Sequence, residues 1–157
     1  METSKSRPKL GKERLYNAYF EERGLSGVIS WDILPLGDSR KFRVCFESRN
    51  SRNRQGIWLK TDGGIALADQ PKFGSVFLWY PSGLLLLPSQ KKTEGECSSK
   101  DGLLSVCNVW EPERDCRGSS FSSGMQVEDL PNGRRYRCHD VGEKPLFKSM
   151  VFRIELL

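Results

Sequence analysis

Three arginines, Arg49, Arg52 and Arg54, fall within the stretch SRNSRNRQG of residues 48–56, among two asparagines, two serines and a glutamine. Guanidinium groups fork onto phosphate or carboxylate oxygens, and contacts of this kind to a phosphate backbone give affinity that salt weakens. The same loop also reads as a solvated turn kept for solubility, and both readings stay open on the sequence. Trp58 follows directly. In GIWLKT (56–61) Ile57 and Leu59 claim one strand face and leave Trp58 with Lys60 on the other. An exposed indole beside polar side chains is a platform for a sugar ring or a base.

A second basic cluster lies in NGRRYRCHD (132–140), which holds three arginines and the single histidine of the chain. Along a strand, Arg135, Arg137 and His139 share one face, with successive members about 7 Å apart. Arg134, Tyr136, Cys138 and Asp140 share the other. The first set has the shape of a grip for a phosphate or carboxylate. It equally fits cross-strand pairing to Glu128 and Asp129 on the preceding hairpin arm. Cys138 and His139 are neighbours pointing to opposite sides, so they do not form a nucleophile–base pair.

Other chemistry leaves less trace. The five cysteines, at 45, 97, 107, 116 and 138, show no close pair of the kind that presents two sulfurs to zinc. The aspartates at 38, 62, 69, 101 and 115 sit in turns, without the alternating oxygen donors of a calcium loop. No G-x-S-x-G, P-loop or H-E-x-x-H motif is present, and one histidine leaves little for imidazole acid–base work. Paired acids such as Glu47 with Glu128 keep a small hydrolase among the readings. No cofactor is expected.

The net charge is +5, with residues 1–60 carrying 13 Lys/Arg against 7 Asp/Glu and the remainder 12 against 13. The positive excess thus sits in the first part of the chain, which raises the expectation of a polyanionic partner or an acidic protein surface. The N-terminal METSKSRPKLGKERL lacks an apolar run behind its charges, and the longest aliphatic run, LLLL at 84–87, is too short for a bilayer. A cytoplasmic protein with reduced thiols and no membrane contact is the resulting expectation.

These residues need elements to hold them. Residues 1–11 read as a flexible basic tail and 12–157 as a single domain. KERLYNAYFEER (12–23) spaces Leu15 with Tyr19 and Tyr16 with Phe20 as a short helix would, with Gly24 to end it. From 28 onward the texture is β. VISWDIL puts Ile29, Trp31 and Ile33 on one face, and KFRVCFE turns Phe42, Val44 and Phe46 inward. GIWLKT and IALA are separated by an expected turn at residues 62–64. SVFLWY, LLSVCNVWE, MQVEDL, RRYRCHD and KSMVFRIELL follow, with Asn132-Gly133 expected to form a two-residue hairpin turn. The stretches 89–102 and 112–124 read as surface loops. Short strands without helical crossovers predict an all-β, mainly antiparallel fold: a two-sheet β-sandwich, with a jelly roll among its forms, plus one N-terminal helix.

The sequence therefore predicts a non-enzymatic soluble binding module. Its partner would be nucleic acid, a phosphorylated ligand or an acidic protein surface, held by Arg49, Arg52, Arg54 and Trp58, with Arg135, Arg137 and His139 as a second grip. A carbohydrate-binding sandwich using Trp58 is the alternative, the hydrolase a third reading, and self-association as a homodimer fits the two-sided apolar strands.

Overall fold

Alternating apolar residues must bury one face of every strand, and a sheet can do so by packing on a second sheet or by closing on itself. This chain closes. The computed structural model describes residues 13–67, 70–81, 91–111, 123–141 and 145–157. The described strands are β1 (Leu15–Tyr16), β2 (Ile29–Pro35), β3 (Lys41–Arg49), β4 (Arg54–Leu67), β5 (Phe73–Trp79), β6 (Lys92–Cys97), β7 (Leu103–Glu111), β8 (Gly124–Leu130), β9 (Gly133–His139) and β10 (Met150–Leu156), with one helical turn, α1 (Ala18–Glu21). Eight of them hydrogen-bond in the circular order β2-β7-β4-β6-β3-β10-β9-β8, and β8 returns to β2 through the pair Ile29↔Met125. β1 and β5 lie outside this ring, on β2 and β4.

The two-sheet sandwich is thus overturned in favour of a closed antiparallel barrel, and the jelly roll with it. Period-2 alternation fixes which side chains are inside but not whether the inside belongs to one curled sheet or two flat ones. β4 makes the difference. The expected turn at residues 62–64 is an irregularity inside one 14-residue strand, whose first half pairs with β7 and whose end pairs with β6. A bend of this kind carries the sheet round a corner without breaking it.

Inside lie Phe42, Val44 and Phe46 of β3, Ile57 and Leu59 of β4, Leu104 and Val106 of β7, and Phe152 and Ile154 of β10. Tyr136 of β9 stacks on Phe152 with ring centroids 4.9 Å apart. The hairpin β8–β9 turns on Pro131 and Asn132, because Leu130 pairs with Gly133. Gly133 serves another purpose: a Cβ there would stand 1.8 Å from the Ile154 carbonyl oxygen of β10. Gly133→Ala is expected to force β9 and β10 apart at a cost of about 1–3 kcal/mol, the range for overpacking a tight site. A fall in the urea midpoint without loss of the barrel's circular-dichroism spectrum is the readout.

The helix expected over 12–23 contracts to α1. Leu15 and Tyr16 are drawn into pairing with β2, and Asn17 caps the remaining turn by accepting a hydrogen bond from the Tyr19 N–H. So short a segment, rich in aromatic residues, gains little as an isolated helix. It instead lays Phe20 beside Val28 and Phe147 in a small apolar cluster outside the barrel. The tail 1–11, the run 84–87, Cys116 and most of 112–124 lie outside the described residues. No described helix is long and apolar enough to cross a membrane.

Candidate functional site

The arginine loop is tethered. Ser51, Asn53 and Gln55 each donate a side-chain hydrogen bond to one carboxylate oxygen of Asp140, with Asn53 Nδ2 at 3.0 Å and Gln55 Nε2 at 2.9 Å. The other Asp140 oxygen accepts from the Ser149 hydroxyl at 3.1 Å and from the Val141 N–H. Burial pushes the Asp140 carboxyl up, but the bonds from Ser51, Asn53, Val141 and Ser149 outweigh it and hold it below the ordinary aspartate range. Residues 51, 53 and 55 are thereby pinned inward, and Arg52 and Arg54, between them, stand exposed. The spacing that looked like loop composition is an alternation of anchors and displayed cations.

Each arginine of this loop has a distinct setting. Arg52 is exposed and has no ion-pair partner among the described residues. Arg49 stands 5.6 Å from the ring centre of Tyr80. Arg54 lies 4.2 Å over the Trp79 ring and pairs at 3.2 Å with Glu111, the residue opposite it on β7.

The outer face of β4 and β5 continues from this loop as a row of rings. Trp58 is opposite Phe77, and Gly56 is opposite Trp79. Ring centres are 6.4 Å apart from Trp58 to Phe77 and 6.3 Å from Phe77 to Trp79, the last two within 12° of parallel. A Cβ on Gly56 would meet the Trp79 ring at 2.6 Å, so the missing side chain is what lets this indole lie against β4. Lys60 closes the far end, its ammonium 6.0 Å from the Trp58 ring centre. Phe77 is 37% exposed, and alternation along β5 puts Phe73, 50% exposed, on the same face.

The second basic cluster is arranged differently. Arg135 binds both Glu47 oxygens at 3.0 and 3.1 Å and reaches Glu128 at 3.3 Å, while Arg137 holds Glu128 at 2.9 Å. Arg153 adds a bond to Glu47 at 2.9 Å, and Arg43 bridges Glu94 and Glu155. Guanidinium and carboxylate alternate across β6, β3, β10, β9 and β8, so the charge of this face is balanced within it. His139 does not join Arg135 and Arg137 in an open grip: it is buried, with its ring edge-on to Phe20 and against Phe147.

This lattice also bears on acid chemistry. For Glu47, desolvation raises the carboxyl but the bonds from Arg135 and Arg153 outweigh it. For Glu128, the bonds from Arg137 and Arg135 dominate. Both are held below the usual carboxylate range. A general acid needs the opposite displacement. Burial pushes up the thiols of Cys45, Cys97 and Cys138, and that of Cys107 to about 12, so none is poised as a nucleophile. Among the described residues, no three of His, Cys, Asp and Glu gather as a metal site. An open cleft of about 370 Å³, between Lys41, Glu94 and Glu96 over Leu67 and Gly95, contains no nucleophile–base pair.

Sequence reasoning missed Asp140, the centre that orders the arginine loop, because it lies 85 or more positions along the chain from the three loop donors, Ser51, Asn53 and Gln55. It also missed Phe77 and Trp79. Their strand SVFLWY is apolar on both faces and reads as covered on each side, whereas β5 lies outside the ring on β4, with Val76 turned to the core and Phe77 37% exposed. Asp32 was the third omission. It is fully buried and bound by Arg14 and Arg134, each at 2.7 Å, and by the Tyr136 hydroxyl at 2.8 Å.

Compared with known proteins, the chain matches no family model, no curated protein and no solved structure.

Proposed function

We propose that this chain is a non-enzymatic binding module that engages a polyanionic partner through Arg49, Arg52 and Arg54, with Trp58 at the edge of the contact. The observation that carries the reading is the contrast between two arginine-bearing faces. Around Arg135 and Arg137 every guanidinium has a carboxylate. On the tethered loop the cations outnumber their one described carboxylate, Glu111, and neighbour aromatic rings instead. Unneutralised guanidiniums on an ordered loop lose little side-chain freedom on meeting an anion, which favours tight and salt-sensitive contact.

The expected result is retention on immobilised heparin at low salt, with log affinity falling linearly with log salt. Changing Arg49, Arg52 and Arg54 together to serine should reduce that slope by about 1 for each guanidinium that meets the anion. Heparin retention undiminished by the triple change would remove the reading. Changing Arg135 and Arg137 should leave the slope nearly unchanged, because those cations are already compensated.

The aromatic row favours one second reading, a carbohydrate-binding surface in which Trp58 stacks a sugar ring. That mode is distinguished by tryptophan quenching with neutral oligosaccharides that persists at high salt.

A further inference from the structure

We infer that the partner of this face is single-stranded nucleic acid, with unpaired bases stacked on Trp58 and Phe77 and the phosphate backbone held by Arg52, Arg54 and Lys60. The inference rests on the polyanion reading of the same surface and specifies which polyanion fits it. Cations alone would serve heparin, duplex or single strand alike. The rings discriminate among them. In a duplex each base shows its faces only to neighbouring bases, so a row of partly exposed rings gains nothing from it. A single strand can turn its bases onto aromatic plates, and every base has a face to offer.

The geometry of the row suits that use. Its ring centres are 6.3 and 6.4 Å apart, about twice the ~3.4 Å rise per nucleotide of a stacked strand. Bases meeting successive rings are thus drawn apart from one another and seated individually. The row is capped by cations at both ends, Arg54 over Trp79 and Lys60 beside Trp58. Among the described residues β5 pairs along one edge, with β4. Trp79 is fixed against Gly56 and Arg54, and its order is established before any ligand arrives.

The test compares three probes at one salt concentration: fluorescent oligothymidylate, a duplex of equal length, and heparin. The expected result is tighter binding of the single strand than of the duplex, with quenched tryptophan emission. Phe77→Ala should weaken the single strand by roughly 5- to 150-fold, the effect of losing one base stack, and leave heparin unaffected. Phe77 is on the surface, so an unchanged thermal midpoint will show that the variant folds. Equal affinity for single strand and duplex, or a Phe77→Ala protein that binds oligothymidylate as wild type does, overturns the inference while the polyanion reading stands on heparin and the arginine triple variant. Failure to bind any of the three probes removes both.

Discussion

Asp32→Ala is expected to destabilise the barrel by about 3–5 kcal/mol, the range for removing one partner of a buried ion pair. For a chain of this length that lowers the thermal midpoint by about 6–20 °C. Asp32 has no exposed surface, and both of its oxygens are taken: one by Arg14 Nε, the other by Arg134 Nη1 and the Tyr136 hydroxyl. Without the carboxylate, two guanidiniums and a phenol remain at a place where water replaces their partner poorly. The position matters as well. β2 joins β8 through the single pair Ile29↔Met125, so backbone bonds close the ring only thinly there. Arg14 arrives from the segment just before β1 and takes the Asp32 oxygen that Arg134 of β9 leaves. The carboxylate therefore fastens this seam with side chains. A midpoint within about 2 °C of wild type, less than the smallest shift expected for such a loss, would contradict this role.

The same carboxylate gives the effect a pH dependence. Burial raises the Asp32 carboxyl, but the hydrogen bonds from Arg14, Tyr136 and Arg134 outweigh it, and its folded value lies below that of the unfolded chain. Asp140 is displaced in the same direction. A lowered folded value means that the unfolded chain takes up protons first. The stabilisation is complete above the ordinary aspartate value of about 3.9 and is lost as pH falls through the folded value. Wild type and Asp32→Ala should therefore differ most near neutrality and converge in acid, as urea titrations at a series of pH values will show.

How much of this was legible in the sequence depends on what each residue's neighbours reveal. Strands β3, β7, β9 and β10 could be read directly, because Phe42, Val44, Phe46, Leu104, Val106, Tyr136 and Phe152 keep a strict alternation. β6 could not. Its inward positions are Thr93, Gly95 and Cys97, and Gly95 is small because Phe42 occupies the space, with a Cβ there 2.7 Å from the Phe42 ring. The apolar signal belongs to the partner strand. In β2 alternation misled: Ile29, Trp31 and Ile33 were expected to share the inner face, yet Asp32 and Leu34 are inside and Trp31 is partly exposed. The register between β1 and β2 slips here, with Leu15 opposite Trp31 and Tyr16 opposite Ile29. Such a slip turns the following residues over. Closure into a barrel depends on which strands meet at long range, and no local pattern records that. At the candidate site, the placing of Trp58 with Lys60 followed from alternation alone, whereas the tether on Asp140 is a contact between segments far apart in the chain.

That tether supplies the other large effect. Asp140→Ala is expected to cost about 3 kcal/mol, since a hydrogen bond to a charged group contributes roughly 1.5–3 kcal/mol and several donors share this one acceptor. A drop of about 6–12 °C in the thermal midpoint should accompany it. Its more telling consequence is functional. Asp140 is buried and faces the interior of the fold, yet it pins Ser51, Asn53 and Gln55 and so presents Arg52 and Arg54 outward. With the anchor gone, the arginines keep their charges but must be ordered on binding, at about 0.5–1.5 kcal/mol for each side chain immobilised. Heparin affinity should fall roughly tenfold while the salt slope holds, because the number of cations reaching the anion is unchanged. The arginine triple variant lowers the slope itself, and Asp32→Ala, measured well below its midpoint, should lower stability alone. If Asp140→Ala loses stability but binds heparin as wild type does, the tether is only part of the barrel's frame, and the display of Arg52 and Arg54 does not depend on it.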